Sequence, residues 1–141
     1  MTRLEELVAA SPEIFAAAVK ETEDTLDLLE ATLGVTLPAS VRCFWTRWGS
    51  GDTCAAPSAS MSIDDTGRFR SAVGLPHHYV VLDDRNDAGA VLLDCSSVDG
   101  AVIWVGSHAI EGFASGSHSY QDCEFFPDFA AWAGDCIEQL E

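Results

Sequence analysis

Between Ser11 and Leu33 the apolar or semi-apolar positions Phe15, Val19, Thr22, Leu26, Leu29 and Leu33 recur at alternating steps of four and three. That spacing puts all six on one face of a helix. After Tyr79 the period changes: Tyr79–Leu82, Ala90–Leu93 and Ala101–Val105 are short apolar runs of strand length, separated by polar, turn-rich residues. A chain that switches from helical to strand period once, and then back, is restricted to segregated helices and strands. The expected class is therefore α+β.

The boundaries can be read from caps. Ser11 and Pro12 supply an N-cap and a first-turn residue, and Gly34 can take the left-handed conformation that ends a helix. Thr22, itself an N-cap type, marks a possible break within that span. Pro38 opens a second helix whose stripe is Val41, Trp45 and Trp48, with Phe44 beside it, running to Gly49. Two helices joined by so short a link should pack as a hairpin. Residues Ser50–Ser60, rich in Gly, Ser, Ala and Pro, read as a surface loop, and Met61–Ile63 as a weak edge strand. Asp83–Gly89 is a hairpin connection, the Asp99-Gly100 pair a turn, and Ile110–Gln121 an irregular segment. Pro127 opens a last helix whose Phe129, Trp132, Cys136, Ile137 and Leu140 share a face able to close over the sheet. With 141 residues, 48% of them apolar, and no internal repeat, the expectation is one domain spanning 1–141: N-terminal helices, a central and mostly antiparallel sheet, and a closing C-terminal helix.

Charge narrows the function classes. There are 23 acids against 7 bases, a net charge of −16, and the last base is Arg85. Gripping a phosphate backbone or an anionic lipid surface requires cations, so neither nucleic acid nor membrane is an expected partner. A basic protein is, because opposite potentials speed encounter and suppress wrong pairings. No apolar run approaches the length of a membrane span, and positions 1–20 lack the pattern of an export signal, so the expected location is the cytoplasm. The five cysteines, Cys43, Cys54, Cys95, Cys123 and Cys136, lack ligand spacing and read as scattered thiols of a reducing compartment.

Catalytic constellations find little support. Gly112-Phe113-Ala114-Ser115-Gly116 is not a nucleophile elbow, no phosphate loop is present, and no spacing supports Cys95 with His108 or His118 as a nucleophile and base. The adjacent His77 and His78 do not make a metal site, and neither a metal nor a cofactor is expected. The pairs Asp64-Asp65 and Asp83-Asp84 read as turn formers in polar loops. With Asp87 they are the expected protein-contact residues, since binding groups concentrate on exposed loops. The four tryptophans lie on apolar faces and default to core packing, with Trp48, beside the glycine loop, the candidate for an exposed anchor.

The run Leu33-Gly34-Val35-Thr36-Leu37-Pro38, preceded by Glu30 and followed by Val41, Phe44-Trp45 and Gly49, resembles the N-terminal signature of the SUKH superfamily, the group of Smi/Knr-like proteins. Tyr79–Leu82, Ala90–Asp94 and Val102–Trp104 are similar to that family's central strands, and Phe126–Trp132 to its closing helix. The resemblance implies an α+β fold without catalytic machinery. In bacteria such domains act mainly as immunity proteins that neutralise toxins of contact-dependent or polymorphic systems, many of them nucleases. In fungi related domains are regulatory hubs. The implied function is toxin neutralisation through an acidic surface that occupies a basic cleft; the alternative is a regulatory or scaffolding module with no toxin partner.

Overall fold

The computed structural model describes residues 5, 6, 9, 10, 20–47, 59–84, 89–106 and 123–140, with side chains of the last segment described to 136. Helix α1 spans Glu23–Leu33. Thr22 is its N-cap: its backbone is extended and its hydroxyl accepts from the Thr25 N–H at 3.2 Å. The long helical period beginning at Ser11 is therefore interrupted at residues 20–22, while 11–19 lie outside the described residues. Gly34, at φ 68°, ends α1 by donating its N–H to the Glu30 carbonyl.

Helix α2 spans Ala39–Arg47. The Glu21 N–H donates to the Trp45 carbonyl at 2.9 Å, so the start of α1 lies beside the end of α2 and the pair is antiparallel. Val41, Phe44 and Trp45 are fully buried, as the sequence stripe required.

Helix α3, Ala59–Val73, replaces the expected edge strand at Met61–Ile63, and the last two residues of the expected Ser50–Ser60 loop belong to it. Its inward positions are Ala59, Ser62, Thr66, Phe69 and Val73, at steps of three, four, three and four. The helical stripe is there, but Ala, Ser and Thr fill its first half, so hydrophobic periodicity does not register it.

Four strands form one antiparallel sheet in the order β1-β2-β3-β4: Tyr79–Asp84, Gly89–Asp94, Val102–Gly106 and Cys123–Phe126. The meander is as expected, with β4 added. Ala90–Leu93, at the centre, is buried on both faces. Val80, Leu82, Val91, Leu93 and Val102 face α1, α2 and the closing helix α4, Phe129–Leu140. Val81, Ala90, Leu92, Ile103 and Val105 face the other way, with Phe69 and Val73 of α3 and Leu75. Asp128 caps α4, its carboxylate accepting from the Ala131 N–H at 2.7 Å.

Helix α3 contributes Ala59 and Ile63 to the first core and Phe69 and Val73 to the second, so it passes along the β1 edge of the sheet. There the register slips between Val81 and Asp83. Thr66, fully buried, accepts the Val81 N–H at 2.8 Å and so satisfies a donor on the edge of the described sheet.

Candidate functional site

The structure draws one aspartate of each pair to the same arginine. Asp64 and Asp65 lie within α3 rather than in a turn, which corrects the sequence expectation, and Asp83 and Asp84 end β1. Because α3 runs along the β1 edge, the Arg68 guanidinium reaches Asp65 at 2.8 Å and Asp84 at 2.6 Å. Its hydrogen bond to Asp84, then that to Asp65, raises the Arg68 pKa above its ordinary value. Arg68 is half-exposed while Asp65 and Asp84 are mostly buried, so these pairs are partly screened by water and contribute modestly to stability. They do fix the orientation of two carboxylates, Asp65 and Asp84, one from each pair, around one cation.

A second acidic group went unassigned from sequence. Glu23, Asp27 and Glu30, at steps of four and three, share the side of α1 that faces α2, where Arg42 meets all three at 2.6, 3.0 and 2.9 Å. The bond to Glu23 is the largest cause of a raised Arg42 pKa. Glu30 also accepts the Leu37 N–H at 2.7 Å, so one half-buried carboxylate ties the turn after Gly34 to both helices. The four-three spacing of acids on α1 was the available signal; Arg42 as their common partner was not visible before the helices were placed.

The third feature is an open groove of ≈ 240 Å³ lined by Gly34, Val35, Thr36, His77, His78, Cys95 and Ser96. It brings histidines beside a cysteine, the juxtaposition a thiol enzyme would need. Burial, helped by Asp94 and Glu30, pushes the Cys95 thiol up to about 12, the opposite of the activation a nucleophilic thiolate requires. Both histidines are exposed. Among the described residues, no group of three or more His, Cys, Asp or Glu side chains could hold a metal ion.

These elements follow one order: an acidic helix closed by Gly34, a Leu37-Pro38 entry into an aromatic helix, an antiparallel meander and a closing helix. The family model described as the SMI1 / KNR4 family (SUKH-1) matches residues 20–132, most of the chain. The chain belongs to this family. A comparison with curated proteins gives no match.

Within the SUKH-1 frame, the Glu30 carboxylate and the left-handed Gly34 are the residues that shape the signature turn. The family is known for immunity-type proteins. Of the expected contact residues, Asp64, Asp65, Asp83 and Asp84 gather at the α3–β1 edge, while Asp87 and Trp48 lie outside the described residues, as do His108 and His118. Trp45 and Trp132 are buried and Trp104 packs against the core half-buried. No described helix is long and apolar enough to cross a membrane.

Proposed function

We propose that this SUKH-1 protein is a non-catalytic immunity protein that binds a cognate bacterial toxin and occupies its basic surface. The observation that carries the reading is how the bases are used. Arg42, Arg47 and Arg68 are each engaged by carboxylates of the chain itself, and Arg70 donates to the His77 carbonyl at 2.9 Å. Four of the seven bases therefore serve internal contacts, in a chain that carries 23 acids. A toxin that holds a nucleic acid must present the complementary cationic cleft, and an acidic face in it blocks substrate entry.

The test is a binding measurement with the product of the neighbouring gene. A complex is expected that weakens as salt rises from about 50 to about 500 mM, a range over which exposed charges become screened. Asp64→Lys combined with Asp87→Lys should slow association. A tight complex indifferent to both salt and charge reversal would overturn the electrostatic mechanism, and a neighbourhood with no toxin and no complex would favour the regulatory reading.

A further inference from the structure

The turn between β2 and β3 is held by five of its own hydrogen bonds. Asp94 accepts from the Ser96 N–H and hydroxyl, the Ser97 N–H reaches the Asp94 carbonyl, Gly100 donates back to Ser97, and Ala101 donates to the Ser97 hydroxyl. Gly100 adopts φ 73°, and a Cβ there would sit 3.4 Å from both Pro38 and Phe129, so the turn is seated against the starts of α2 and α4. The Asp99 carbonyl completes the seating by accepting the Phe129 N–H. At the tip of this fixed turn Val98 is 90% exposed, the most exposed large apolar side chain among the described residues.

Beside it lies a groove of ≈ 330 Å³ lined by Ala39, Ser40, Val98, Asp99, Asp128 and Ala130. Two of the six lining residues are carboxylates and none is basic. Among the described residues the buried Ser40 hydroxyl oxygen has no hydrogen-bond partner, which is costly unless something supplies one. A rigid turn that presents an apolar tip next to two carboxylates and an unsatisfied hydroxyl has the make-up of a small binding subsite. Little conformational entropy would be lost in using it.

We infer that this groove receives a lysine or arginine side chain of the protein partner, its cationic head between Asp99 and Asp128 and an adjacent apolar residue of the partner against Val98. The inference rests on the reading above that the chain binds a basic protein, and it names where. An acidic segment would meet like charge at both carboxylates and a neutral one would leave their charge uncompensated, so charge complementarity favours a cationic occupant. The groove lies at the starts of α2 and α4, whereas the Arg68 aspartates lie at the β1 edge, so the two acidic regions can be tested separately.

The probe is a doubly capped tetrapeptide of alternating leucine and lysine, titrated into the ¹⁵N-labelled full chain. Saturable amide shifts are expected at Ala39, Ser40, Val98, Asp99 and Ala130. Asp99→Asn with Asp128→Asn should weaken binding about fivefold or more, and asparagine keeps the α4 cap so that the fold is preserved. Asp64→Asn should leave the titration unchanged. Absence of saturable shifts at these residues, or shifts that survive the double substitution, overturns the groove.

A second arm uses the neighbouring gene's product. If it binds and Val98→Ser in the double variant weakens the complex about tenfold or more, the groove is supported. If the variant binds as the parent does, the groove is overturned and the immunity reading stands. If the parent forms no complex, the immunity reading fails and the peptide titration alone decides the groove.

Discussion

Replacing Thr66 with valine keeps the shape of the side chain and removes only its hydroxyl. In the folded protein that hydroxyl accepts the Val81 N–H at 2.8 Å, in a position with no solvent exposure, at the point where β1 slips register. The backbone donor would then be buried without a partner, a cost of about 1–3 kcal/mol. The added methyl recovers little, because the space is already filled by the hydroxyl and faces a polar N–H. A net loss of about 2 kcal/mol follows, or roughly 6–10 °C in melting temperature for a chain of this size. Thr66→Ser keeps the hydroxyl and gives up one buried methyl, about 1 kcal/mol. Urea denaturation followed by tryptophan fluorescence measures both. The expected order is wild type, then Thr66→Ser, then Thr66→Val. The reasoning fails if valine is as stable as threonine within about 0.5 kcal/mol, or if serine is the less stable of the two.

Glu30→Ala should lose about 2 kcal/mol, most of it from the stranded Leu37 N–H and less from the partly exposed pair with Arg42, with Glu30→Gln in between; chemical denaturation checks the ranking. Gly89 has φ 142° and an added Cβ would overlap the Val105 carbonyl, so Gly89→Ala should cost more than about 3 kcal/mol and reduce soluble yield. Cys95 should react with iodoacetamide at pH 8 at least about tenfold more slowly than a cysteine in an unstructured peptide, read by peptide mapping. Burial raises its pKa from 9.0 to about 12, so the stability of the neutral thiol is intact below pH 9 and is lost as pH climbs toward 12. Urea midpoints of Cys95→Ala and the parent should therefore converge over that alkaline range.

Where a segment carries its instruction in adjacent residues, sequence alone was sufficient. Leu26, Leu29 and Leu33 at helical spacing and Gly34 at the end specify α1, because capping and amphipathicity act within one or two turns. The strand runs at Tyr79, Ala90 and Val102 specify three neighbours of a meander for the same local reason, and the Leu37-Pro38 signature pointed to the family. Helix α3 departs from the expectation because its buried face is built from Ala59, Ser62 and Thr66, small and polar residues that are inward only because α1 and the sheet edge lie beside them. The short Cys123–Phe126 strand carries no alternation and owes its pairing to β3.

The acidic character and the absence of catalytic motifs were likewise properties of the chain as written. Which carboxylates share an arginine was not. Asp65 and Asp84 are 19 residues apart, and Glu23 and Arg42 equally so, and only the packing of α3 on β1 and of α1 beside α2 brings their charges within hydrogen-bonding reach. Electrostatic contacts depend on distance in space, whereas caps and periodicity depend on distance along the chain. Sequence therefore determined α1, α2, the closing helix, three strands and the net charge, and tertiary structure decided α3, the fourth strand and which charges are paired within the protein.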